Sequence, residues 1–222
     1  MTQLTKDDIL RGLRAIDAHA TQAGVLIDLS IYGGAALAIA FDMRVATRDV
    51  GAVVRGRPDF LRKVAAEVAE AQGWPSDWLN DGVKGFTSHN EEMSLMRDFE
   101  AAGGCGLRVH VPAPEYLFAM KCMAMRPEGI EGSHDVSDIE ALALRVGIRD
   151  AAEALELVAA FYPADRIPPK VSSASRRSWR ASRRDENANS RPTGECDVEA
   201  RVAVHRDTQC GTKSASCGPR FA

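Results

Sequence analysis

No run in this 222-residue chain approaches the roughly 18 to 20 apolar residues needed to cross a bilayer. The N-terminus, with Lys6, Asp7 and Asp8 close behind Met1, also has no apolar signal segment. The expectation is a cytosolic protein without a membrane partner. Cysteine is scarce and unpaired in pattern: five residues, at 105, 122, 196, 210 and 217, with no C-x-x-C spacing. An odd, unpatterned set excludes a disulfide framework and reads as reduced thiols. Cys196, His205, Cys210 and Cys217 follow no zinc-finger spacing, so zinc is not expected there.

What is present is an ordinary globular composition, 45% hydrophobic and 27% charged, enough for one good-sized core with a small appended bundle. The formal charge of -3 hides a division. From Lys170 onward there are 11 Lys+Arg against 6 Asp+Glu, which leaves 17 against 25 before it. An acidic body precedes a basic tail.

Chemistry concentrates first at Tyr32-Gly33-Gly34-Ala35-Ala36. The apolar run from Val25 to Tyr32 reads as a buried strand entering a Gly-Gly turn, and Ala35 to Phe41 reads as a short helix packed on a sheet. Glycines let backbone amides approach a phosphate at a helix N-terminus, where orphan N–H groups and the dipole favour negative charge. Thr47-Arg48-Asp49-Val50-Gly51-Ala52-Val53-Val54 follows, with Asp49 at the start of the next strand. Residues two apart on a strand share a face, so a D-x-D pair would present two carboxylates able to bridge Mg²⁺ ions. Here the second position is Gly51. Read without that comparison, the stretch is a Gly-Gly turn joining strand to helix with a lone acid nearby.

The remaining elements follow from periodicity and punctuation. Thr5 and Asp8 resemble a capping box for a helix over about 5–22, with Ile9, Leu10, Leu13, Ile16 and Ala20 at helical spacing. Pro58 and Gly73 bracket a second long helix with an apolar face from Phe60 to Ala71. Trp74 to Gly82 reads as a structured loop with aromatic anchors. Met93 to Phe99 and Leu107 to Val111 read as strands around a Gly-rich turn. Helical segments are expected over 114–126, 135–146 and 149–161. The whole is an α/β (α+β) arrangement.

A second constellation lies in the helical part. Tyr116 to Arg126 is an apolar helix carrying Lys121 and Arg126, and the next helix opens with Asp135 and Asp138, three apart on one face. A lysine so placed can reach a triphosphate as a point charge, with a carboxylate orienting it or acting as a base. The alternative is snorkelling: Lys121 keeps its ammonium in water, and the two acids merely favour a helix N-terminus.

The order of these motifs, Gly-Gly, then T-x-D, then a strand ending in Pro before an Ala-Met-Lys helix, then a D-x-x-D helix, resembles the minimal nucleotidyltransferase superfamily. The likeness spans roughly residues 20–150 and is to the AbiEii and MenT-like toxin branch, whose members form type IV-like toxin–antitoxin pairs. It implies a DNA polymerase β-like core with a mixed sheet, here 1–112, followed by a helical bundle, here 113–165, which leaves 166–222 as a basic tail read as disordered from its composition. It also implies Mg²⁺-dependent transfer of a nucleoside monophosphate from an NTP to an acceptor, in some members tRNA, and a cognate antitoxin as partner. Under this resemblance Gly33 and Gly34 match the phosphate turn, where Gly-Ser is commoner, and Arg44 and Thr47 the R-x-x-T positions. Asp49 matches the first metal-binding acid, Lys121 the third-motif lysine, and Asp135 or Asp138 the fourth-motif acid. Gly51 departs from the second metal-binding acid, with neither Asp42 nor Asp59 placed to compensate, so impaired or absent catalysis is expected.

Residues beyond about 166 show no apolar periodicity and are expected to be disordered. Their Arg-Ser runs around Trp179 read as a nucleic-acid arm or as sequence past a frameshift.

Overall fold

The computed structural model describes residues 3–101, 104–126, 134–169 and 171. The chain begins with β1 (Leu4–Thr5) and α1 (Lys6–Gln22). The capping box is formed: the Thr5 hydroxyl accepts from the Asp8 amide, and the Asp8 carboxylate accepts from the Thr5 amide at 2.9 Å. Ile9, Leu13, Ile16 and Ala20 are fully buried along one stripe, as their spacing requires.

β2 (Leu26–Ile31), α2 (Gly33–Phe41), β3 (Ala46–Thr47) and β4 (Val50–Arg55) follow, then α3 (Pro58–Gln72). Pro58 opens α3 and Gly73 closes it in the left-handed region at φ 67°. β5 (Leu79–Asn80) leads into a 3-10 helix, Gly82–Phe86. β6 (Met93–Glu100) and β7 (Gly106–Pro112) form a hairpin, and α4 (Pro114–Ala124), α5 (Asp135–Val146) and α6 (Ala151–Phe161) complete the main elements. The expected order is met, with the third helix of that group starting at Ala151 behind an Asp150 cap.

The sheet has the order β5-β4-β2-β7-β6. β2 runs antiparallel to β4 and parallel to β7, so the sheet is mixed, as expected. Ile27, Leu29 and Ile31 on β2 are fully buried, while the alternate residues Asp28 and Ser30 point the other way. Three two-residue strands were not legible beforehand: β1 pairs with β3, and β5 pairs with β4 with Asn80 opposite Gly51.

Two features tie the helices to the sheet. Trp78 is fully buried, donates from Nε1 to the Ala65 carbonyl at 2.9 Å, and lies so near Gly12 that a Cβ there would meet its ring at 2.7 Å. It anchors the α3–β5 loop between α1 and α3. The second feature is α4, buried on every side from Tyr116 to Met123 and in contact with α2, β7, α5 and α6. A helix that is buried all round is a central element, not a surface one.

The expectation of disorder from about 166 onward does not describe the first residues concerned. Ala164–Arg166 form a 3-10 turn, Ile167 packs against the core, and Val171 is 1% exposed. Residues 172–222, including the Arg-Ser runs, Cys196, His205, Cys210 and Cys217, lie outside the described residues. No helix among the described residues is long and apolar enough to cross a membrane.

Candidate phosphate site

The turn into α2 is built from backbone requirements. Gly33 has φ 63°, in the left-handed region that an L side chain adopts only at a cost. Tyr32 caps the helix with no side-chain hydrogen bond and the first turn contains no acid, so nothing on α2 neutralises its N-terminal dipole. The Tyr32 amide donates to the Gly51 carbonyl at 2.9 Å, which fixes the turn to β4. At Gly34 a Cβ would stand 2.7 Å from Thr47 Oγ1 and 2.9 Å from Arg44 Nη1. A bare backbone at 34 is therefore what allows the hydroxyl and the guanidinium to reach the helix start.

Arg44 is held from two sides. Its Nε donates to the Ala46 carbonyl and its Nη1 to Asp138 Oδ2, both at 2.9 Å, with 17% of the side chain exposed. Asp138 also accepts from Lys121 Nζ at 2.6 Å. Lys121 reaches Asp135 Oδ1 at 3.5 Å, and Asp135 Oδ2 accepts from the Arg126 amide at 3.2 Å and its Nε at 3.1 Å. The snorkelling alternative for Lys121 is thus overturned. Its side chain is 10% exposed in the middle of an apolar helix, and two carboxylates from α5 compensate the buried ammonium. The structure also separates the two acids: Asp138 joins α4 to the Arg44 loop, whereas Asp135 ties α5 to the C-terminal end of α4.

Gly34, Arg44, Thr47, Lys121 and Asp138 are thereby linked at one place from α2, the loop after it, β3, α4 and α5. Among the described residues the charged members, with Arg126 and Asp135 at the far end of α4, are three cations and two anions.

Asp49 is differently placed. It precedes β4, is exposed, and accepts from Asn80 Nδ2 at 2.7 Å. The Asn80 amide is oriented by its other contacts, with Oδ1 accepting from the Gly82 amide at 3.0 Å and Nδ2 donating to the Asp77 carbonyl at 3.3 Å. At Gly51 a Cβ would meet Val83 Cγ1, on the 3-10 helix, at 2.5 Å. Asp42 and Asp59 are spent elsewhere, on Lys6 and Arg62. Among the described residues no group of three or more His, Cys, Asp or Glu is arranged to hold a metal ion. The donors around Asp49 do not fit the Mg²⁺ pair that the resemblance implies.

Asn80 and Val83 were not singled out from the sequence beyond lying in or beside an aromatic-anchored loop. A further group also went unread: Asp28 accepts from Arg108 at 2.6 Å and faces His110 Nε2 at 3.5 Å across β2 and β7. Burial alone would raise the Asp28 pKa, but the Arg108 hydrogen bond and charge, with His110, outweigh it and hold the carboxyl below its usual range. On α4, burial pushes the Cys122 thiol up to about 12, so it remains protonated beside Lys121.

No protein-family model and no curated protein matches the chain. Among solved structures, the chain is similar to an antigenic nucleotidyltransferase-like protein from Paracoccidioides brasiliensis. The identity is 13% and the TM-score 0.41, with 79% of this chain and 96% of that chain covered.

Proposed function

We propose that this chain is a nucleotidyltransferase-type protein of the AbiEii and MenT-like kind. It binds the phosphates of a nucleoside triphosphate at the N-terminus of α2, and its transfer of the nucleoside monophosphate to an RNA such as tRNA, or to a protein, is severely impaired. The observation that supports this reading is the convergence at Gly34, where a hydroxyl and a guanidinium crowd a helix start that has no side-chain cap and no acid of its own. Arg44 and Thr47 contact the phosphates, Gly33 and Gly34 admit them, and Lys121 with Asp138 sets the position of Arg44 from behind. Impairment follows from Gly51, which offers no carboxylate beside Asp49.

The reading places the protein in the cytosol beside nucleotides and RNA, with an antitoxin encoded next to it. Calorimetry with each of the four NTPs on the full chain, followed by Arg44→Ala, is the direct test. Binding of at least one NTP is expected, weakened at least tenfold by the substitution, with no label passing from α-³²P-NTP to tRNA. Absence of binding for all four nucleotides would refute the site, and robust transfer would refute the impairment.

A further inference from the structure

We infer that phosphate binding at this site needs no divalent cation, because Asp49 serves as a hydrogen-bond anchor for β5 and not as an ion ligand. The inference rests on the phosphate-binding reading above and adds to it what neutralises the phosphates.

Three observations point the same way. The first is the state of Asp49. Mg²⁺ takes near-octahedral oxygen coordination and is usually held by one or two carboxylates together with substrate phosphates. The one carboxylate at this strand start has an oxygen committed to Asn80 at 2.7 Å. That amide cannot turn its oxygen toward an ion without giving up the Gly82 amide at 3.0 Å, so it presents a donor, which repels a cation.

The second is the closure of position 51. Gly51 lies on β4 in register with Asn80 on β5, and Val83 fills the space over it to within 2.5 Å of a Cβ. The position therefore lacks more than an oxygen ligand. An apolar side chain from the 3-10 helix covers the place where a second carboxylate would stand.

The third is the charge at the start of α2. Arg44 and Lys121 share the single carboxylate of Asp138, and Arg44 meets the uncapped helix start directly. Fixed cations and backbone amides supply the neutralisation that an ion would otherwise provide. The consequence for chemistry is direct: a triphosphate held only by these groups is bound without the ion-assisted polarisation that phosphoryl-type transfer uses.

The test has two arms on the full-length chain. In the first, free Mn²⁺ is titrated by electron paramagnetic resonance with wild type, with Asp49→Asn, and with a paired variant, Gly51→Asp/Val83→Ala, that also carries Asn80→Ala to release Asp49. Wild type and Asp49→Asn are expected to give superimposable curves, while the paired variant gains a bound ion that further addition of Asp49→Asn removes. An ion lost from wild type on Asp49→Asn overturns the inference, and so does an equal gain by Gly51→Asp alone, since Val83 would then not close the position. In the second arm, calorimetry with ATP is run in excess Mg²⁺ and in EDTA, and affinities within twofold are expected. A tenfold loss in EDTA also overturns it, whether or not Asp49→Asn reproduces the loss in Mg²⁺. If ATP gives no heat in either buffer, the phosphate-binding reading fails, and the role of Asp49 is decided by the Mn²⁺ arm alone.

Discussion

Asp138 carries more of the structure than its neighbour three residues earlier, and the two acids can be set against each other. Asp138 is 7% exposed and accepts from Lys121 at 2.6 Å and Arg44 at 2.9 Å. Asp138→Asn keeps the shape and removes the charge. Lys121 then retains Asp135 at 3.5 Å, too long for a strong bond, in a helix that leaves its side chain only 10% exposed. Breaking a buried pair by removing one partner costs about 3–5 kcal/mol, and the remaining carboxylate argues for the lower end, about 3 kcal/mol. In Asp135→Asn the short Lys121–Asp138 bond survives. What weakens are bonds to Arg126, whose side chain is half-exposed, so the loss is about 1 kcal/mol.

In urea, with a slope of about 2 kcal/mol/M, these losses become midpoint shifts of about 1.5 M and 0.5 M. Equilibrium unfolding followed by far-UV circular dichroism reads both. A third variant identifies the cause. If the stranded ammonium accounts for the cost, Asp138→Asn/Lys121→Met recovers at least about 1 kcal/mol over Asp138→Asn alone, because an apolar side chain of similar length fits the site. The reasoning is refuted if Asp138→Asn costs no more than Asp135→Asn, or if adding Lys121→Met brings no recovery.

Two further outcomes are expected. Gly33→Ala should cost about 1–2 kcal/mol by the same unfolding assay, from backbone strain alone, because φ is 63° and nothing lies within 4 Å of the added Cβ; a change below about 0.3 kcal/mol would contradict that assignment. Asp28 has a lowered folded-state pKa, so its contribution is present above the ordinary carboxylate range and is lost as pH falls through the folded value. Wild type should therefore lose stability more steeply than Asp28→Asn on acidification below about pH 5, and parallel curves would show that the Arg108 pairing adds nothing.

Elements with their own local signals were legible from sequence. α1 declared itself through the Thr5/Asp8 box and a 3.6-residue stripe, and α3 through Pro58 and Gly73, because caps and periodicity are properties of the segment itself. β1, β3 and β5 could not be read this way, since two residues carry no period and exist as strands only through a partner. Lys121 shows the same limit in the site. One cation in an apolar helix is compatible with snorkelling or with burial, and the choice depends on carboxylates 14 and 17 residues away on another helix. Nothing between Tyr116 and Ala124 could have decided it.

Position 51 lies between these cases. The glycine was visible as a single letter, and the resemblance, with strand geometry, implied that a second carboxylate would stand there. What stands in its place was not visible, because Asn80 and Val83 arrive through a loop that Trp78 pins between α1 and α3, and Asn80 reaches Asp49 from 31 residues further along. A sequence comparison at 51 therefore describes a deletion, whereas packing describes a replacement: an amide turned donor-first toward Asp49 and a valine over the glycine. The distinction has a physical consequence. A simple deletion would be reversed by an acid at 51 alone, but a replacement requires that Asn80 and Val83 be changed as well, so residues 51, 80 and 83 act as one position and are to be varied together.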